Sequence, residues 1–232
     1  MSISPHIKAV IFDCDGVLVD SEILGLEESV AFLKSQGLPW EAEEVISRFT
    51  GYRDDVFRQL LNEAYQEIHG TLPDDSLFTE LVAARRRNKH KLKPIEGARR
   101  AIEATAASGF AVAVASSSRT QYLESKLQRT NLWDVLAPHV YSAELVAHGK
   151  PAPDIFLHAA NAINIAPENC LVLEDSVQGV RAGIAASMSV WGFTGGGHCF
   201  AGHGERLSEA GATTIVPDFA SLSPLLQGLH RE

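Results

Sequence analysis

The stretch Lys8-Ala-Val-Ile-Phe-Asp-Cys-Asp-Gly16 decides how this chain folds. Its apolar part, Ala9 to Phe12, shows no polar alternation, so it reads as a strand buried on both faces inside a parallel sheet. The strand runs into Asp13-Cys-Asp-Gly16, where the glycine lets the chain turn. In an open parallel sheet, ligands gather beyond the carboxyl ends of the strands. Asp13 and Asp15 stand at such an end and point to one side if the extended geometry persists. Cys14 then faces the other way and reads as core packing.

Working outward, residues beyond Pro94 alternate strand and helix. The segments Phe110–Ala115, Val140–Ser142, Cys170–Leu173, Val190–Phe193 and Thr213–Val216 read as strands. Thr120–Arg129, Asp154–Asn164 and Val177–Ala186 read as helices between them. That rhythm predicts a parallel sheet covered on both faces. Between Ser21 and about Lys91 the texture changes. Leu26, Val30 and Leu33, then Val56, Leu60 and Leu61, recur at helical spacing, broken at Gly37-Leu-Pro39, Thr50-Gly51 and Gly70-Thr-Leu-Pro73. This part reads as an all-helical insertion of about four helices.

Composition bounds the rest. The 232 residues, 45% apolar and 21% charged, suffice for one core carrying a smaller insertion. Lys+Arg 20 against Asp+Glu 29 gives a net charge of −9, which argues against a nucleic-acid or acidic-membrane surface. Cys14, Cys170 and Cys199 form no C-x-x-C pair, so they predict a reducing, cytoplasmic setting. The N-terminal apolar run is too short for a signal peptide, and nothing approaches the ~20 apolar residues of a membrane span. The basic run Arg85-Arg-Arg-Asn-Lys-His-Lys-Leu-Lys93 reads as the solvated end of the last inserted helix. Gly195-Gly-Gly-His198 and His203 read as a flexible segment with surface histidines.

Four strand ends carry polar residues suited to one chemistry: Asp13 and Asp15; Ser116; Lys150, before Pro151-Ala-Pro153; and Glu174-Asp175. Four carboxylates together are strongly unfavourable without a cation. Mg²⁺ resolves that conflict, being held by a few carboxylates and substrate phosphate. Lys150 and the Ser116 hydroxyl supply a cation and a donor for a dianion, so the set looks built for a phosphoryl group. Asp13 could attack phosphorus to give an aspartyl-phosphate while Asp15 serves the leaving alcohol as acid and water as base.

Asp13-Cys-Asp-Gly-Val-Leu-Val-Asp-Ser-Glu22, Ser116, Lys150-Pro-Ala-Pro-Asp154 and Leu173-Glu-Asp-Ser-Val-Gln-Gly179 resemble, in order, the four motifs of the haloacid dehalogenase (HAD) superfamily. The nearest branch is the β-phosphoglucomutase-like phosphatases. The resemblance implies an α/β, HAD-like fold: a Rossmann-like core over residues 1–17 and 93–232 with a helical cap over 18–92. It implies Asp13 as nucleophile, Asp15 as acid/base, and Ser116 and Lys150 on the phosphate. The Asp13 side chain, the Asp15 carbonyl, Asp175 and Glu174 would hold Mg²⁺. Arg53, in the cap loop Gly51-Tyr-Arg-Asp54, would contact the substrate's distal part.

True dehalogenases lack the second aspartate of the first motif, and Asp15 is present. Mutase members carry a histidine where this chain has Gly25, which favours hydrolysis. The expected function is a Mg²⁺-dependent phosphomonoesterase for a small sugar or polyol phosphate. A β-phosphoglucomutase-type mutase and a non-catalytic phosphometabolite-binding protein stand as alternatives.

Overall fold

The computed structural model describes residues 6–229. The expectation that places residues 1–5 and 230–232 in the core lies outside the described residues. Six parallel strands, β1 (Ala9–Phe12), β2 (Ala111–Ser116), β3 (Val140–Ser142), β4 (Cys170–Glu174), β5 (Ser189–Phe193) and β6 (Thr214–Val216), form one sheet in the order β3-β2-β1-β4-β5-β6. Ala9 pairs with Ala111 on one side and Cys170 on the other, so β1 lies at the centre. The strand order reverses between β1 and β4, which is where a parallel sheet opens a crevice.

All of β1 is buried because its two faces feed two apolar layers. Val10 and Phe12 pack with α5 (Ala98–Ala107), α6 (Thr120–Arg129), α7 (Trp133–Leu136) and α11 (Phe219–Gly228). Ala9 and Ile11 pack with α8 (Asp154–Ala162), α9 (Val177–Ala185) and α10 (His203–Glu209). The α/β fold class expected from the sequence is the one observed. Helix α8 stops before the expected Asn164 because that residue has turned left-handed at φ 56. Three longer helices, α5, α10 and α11, had no counterpart in the sequence expectation. Pro224 inside α11 ordinarily argues against a helix there.

Between β1 and α5 lie four helices, α1 (Leu26–Ser35), α2 (Ala42–Phe49), α3 (Asp54–His69) and α4 (Ser76–Arg86). They have an apolar centre of their own around Leu33, Trp40, Phe49, Phe57, Leu61 and Leu81. The chain leaves and re-enters the core side by side: Asp20 N–H donates to the Lys93 carbonyl at 3.1 Å, and Ile95 N–H donates to that of Leu18 at 3.0 Å. The helical block rests on the core where Ser117 Oγ donates to the Gly51 carbonyl at 2.9 Å and Arg119 pairs with Asp54 at 3.3 Å. No helix among the described residues is long and apolar enough to cross a membrane.

Candidate active site

The ends of β1, β2 and β4 bring five of the expected residues, Asp13, Asp15, Ser116, Glu174 and Asp175, to one place. Lys150 joins them from the loop before α8. Its ammonium lies 2.5 Å from Asp13 Oδ1 and 2.6 Å from Glu174 Oε1, and it donates to the Ala115 carbonyl at 3.2 Å. Burial works against that charge, but the two carboxylates outweigh it and raise the Lys150 pKa. Glu174 Oε2 accepts from Ser176 N–H at 2.7 Å and from Ser176 Oγ at 2.9 Å, beside the N-terminus of α9 where a negative charge is favoured.

Asp13 and Asp15 have different surroundings. Burial pushes the Asp13 carboxyl well up; Lys150 opposes this, and Glu174, Asp175 and Asp15 add to it. Burial alone would also raise Asp15, yet Lys126 and the hydroxyls of Ser21 and Ser118 overcome it and hold the group at about 2. Lys126 and Ser21 bond Asp15 Oδ1, and Ser118 Oγ donates to Oδ2 at 2.7 Å. Ser116 Oγ reaches the same oxygen only at 3.4 Å.

Asp13, Glu174 and Asp175 each present an oxygen within 4.8 Å of the others. Asp175 is pushed up by burial and then by Glu174 and Glu22. Its Oδ2 is buried without a hydrogen bond, although His198 Nε2 lies 2.8 Å away, out of line for one. An orphaned buried carboxylate oxygen within an all-oxygen acidic set fits a hard divalent cation.

Two readings of the sequence need correction. His198 is fully buried rather than on the surface, and His203, also buried, opens α10 with its Nε2 donating to the Asp175 carbonyl at 2.6 Å. The preceding glycines serve close packing. A side chain on Gly196 would meet the Gly16 carbonyl at 2.7 Å, and Gly197 N–H is tied to Asp20 Oδ1 at 2.9 Å. The basic run that begins at the end of α4 is not wholly solvated either. Arg85 pairs with Glu22 at 3.1 Å, and Arg85 and Lys89 both line the cavity over the site.

That cavity, about 480 Å³, lies between the helical block and the strand ends, with Asp13, Asp15, Ser116 and Asp175 in its wall. Arg53 is not in the wall. Its guanidinium binds Asp55 at 2.6 Å and reaches toward the Ala143 and Ala147 carbonyls at 3.5 Å. The sequence reading missed Lys126. A lysine one and a half turns into a helix carries no local mark, and only the fold sets it against Asp15. Ser117 and Ser118, after β2, read locally as a polar run, and only the fold brings Ser118 to Asp15.

A hydrolase class is what this fold and site define, and the comparisons agree. The family described as haloacid dehalogenase-like hydrolase matches residues 7–187. A 6-phosphogluconate phosphatase of Escherichia coli (strain K12) is 31% identical over 193 residues, covering 83% of this chain and 85% of the relative. A beta-phosphoglucomutase of Mycobacterium tuberculosis is 31% identical over 250 residues, covering 96% and 94%. Among solved structures, a haloacid dehalogenase-like protein of unknown function from Agrobacterium tumefaciens superposes with a TM-score of 0.83 at 33% identity, covering 97% and 100%. The chain belongs to the haloacid dehalogenase-like hydrolases. Within that family, relatives named as phosphatases place it with the HAD-type phosphatases.

Proposed function

We propose that the chain is a Mg²⁺-dependent phosphomonoesterase for a small sugar or polyol phosphate, working through an aspartyl-phosphate on Asp13, with residues 18–92 as its cap. The observation that carries this is Asp13 at the cavity wall with Oδ1 held 2.5 Å from Lys150. Asp13, Asp175, Glu174 and the Asp15 carbonyl are the groups assigned to the metal, which when bound offsets repulsion between carboxylate and phosphate. Lys150 and Ser116 are assigned to the phosphate oxygens.

Asp13 attacks phosphorus, the ester P–O bond breaks, and the leaving oxygen takes a proton from Asp15. Water then gives a proton to Asp15 and attacks the phosphorus, and Asp13 is released as a carboxylate. With Lys126 in place Asp15 is ionised, the state needed for the second half. For the first half Asp15 must take up a proton from solvent, or keep the one water gave it in the previous turnover, which requires Lys126 or the serines to release one of its oxygens. We assign Arg53 to seating the cap on the 143–147 loop rather than to the substrate.

Asp13→Asn is expected to abolish phosphate release from a panel of sugar and polyol phosphates while leaving the melting curve near that of the parent. Release at the parental rate would overturn the mechanism. EDTA is expected to stop the parent enzyme, and Mg²⁺ to restore it. The mutase remains the second reading because relatives in two mycobacteria carry that name. Isomer formation from a hexose 1-phosphate without net phosphate release would establish it.

A further inference from the structure

The cavity over the strand ends has an uneven pattern of charge. Three of its basic side chains face a carboxylate: Arg85 pairs with Glu22, Arg119 with Asp54, and Lys126 with Asp15. Two others, Lys89 and Arg129, also line it, and neither has a carboxylate within 4.0 Å among the described residues. Arg129 Nη2 donates to the Lys89 carbonyl at 3.0 Å, so the two residues are held as neighbours. In a chain with nine more acidic than basic residues, two cations in one cavity wall that face no carboxylate stand out: Arg129 is tied to a backbone carbonyl, and both side chains are exposed.

Their position gives the pair a meaning. Helix α6 turns one face to the cavity, carrying Tyr122, Ser125, Lys126 and Arg129 at helical spacing. Lys126 marks where that face meets Asp15. Arg129 lies one turn further along, about 4.5 Å in axial rise. A substrate with its phosphate at Asp13 and its ester oxygen at Asp15 would run toward Arg129 and Lys89 along this face. Arg129 offers a guanidinium fork and Lys89 an ammonium, groups that match a carboxylate or a phosphate, whereas a hydroxyl would leave both charges unanswered.

We propose that the substrate carries a second anionic group, a carboxylate or a second phosphate, at the end away from the scissile ester, bound by Arg129 and Lys89. The inference rests on the phosphatase reading above and narrows its substrate class.

The test compares three straight-chain substrates of equal carbon count: 6-phosphogluconate, sorbitol 6-phosphate and mannitol 1,6-bisphosphate. The wild-type kcat/KM is expected to be about tenfold or more higher for a doubly anionic member than for sorbitol 6-phosphate. Whether the gluconate or the bisphosphate leads identifies the anion. In the double variant Lys89→Ala/Arg129→Ala that ratio is expected to fall toward one, mainly through KM. Both residues are exposed, so the variant is expected to fold, as a melting curve would record. A wild-type ratio near one, or a ratio the double variant leaves intact, overturns the distal site and leaves the phosphatase standing. No phosphate from any of the three overturns both.

Discussion

Lys126 and Lys150 divide the two aspartates of β1 between them. Asp13, with Lys150, shares its surroundings with two more carboxylates and is pushed up; Asp15, with Lys126 and hydroxyl donors, sits at about 2. Two carboxyl groups with pKa values driven apart can take different parts in one reaction. The sign of the stability effect follows. Asp15 lies below its ordinary value of 3.8, so its pairing stabilises the fold above that pH and is lost as pH falls through about 2. In Lys126→Met the loss is expected to be at least about 2 kcal/mol at neutral pH, the size of that shift, because burial then acts on Asp15 without the ammonium to oppose it. The gap in Tm between parent and variant should narrow as pH falls from neutral and close by about pH 2. A gap that stays constant across that range would mean the pair is not what moves Asp15.

At the scale of elements, the seating of the helical block turns on Gly51. This residue has φ 87, and a side chain there would come within 2.4 Å of Ser176 Oγ. Ser176 caps α9 by accepting from Gly179 N–H at 3.0 Å and also donates to Glu174. Gly51→Ala is therefore expected to cost about 1–2 kcal/mol in a denaturant titration and to raise KM more than it lowers kcat. Unchanged stability and KM would show that the contact yields freely. The elements that the sequence displayed are those whose period or burial is uniform. β1 is an unbroken apolar run and β4 is one as far as Leu173, and α6 has the bounds its sequence predicts, Thr120 to Arg129. What was illegible depends on distant contacts. The Gly195–Gly197 run looks mobile by composition, but its small residues let it lie against Gly16 and carry His198 to Asp175. The partners of Lys126 and Lys89 likewise come from elements far along the chain.

Across the whole molecule, an acidic cluster at the sheet's centre opposes folding until a cation relieves it. Asp13, Glu174 and Asp175 crowd within 4.8 Å; among the described residues Lys150 pairs with Asp13 and Glu174, and the His198 imidazole lies beside Asp175. Mg²⁺ at a hundredfold excess over its Kd is expected to stabilise the fold by about 2.7 kcal/mol, seen as a rise in Tm. Asp175→Asn should remove most of that rise; a full rise in the variant would place the cation elsewhere. The paired crossing between core and helical block has a separate consequence. Asp20 and Lys93 are bonded neighbours, so the chain returns to the sheet within reach of the point where it left. A segment of almost any length closes between two such points at little added entropic cost. Lineages sharing this core can therefore trade the intervening helices as a graft, changing what is admitted above β1 while the carboxylates beneath are inherited intact.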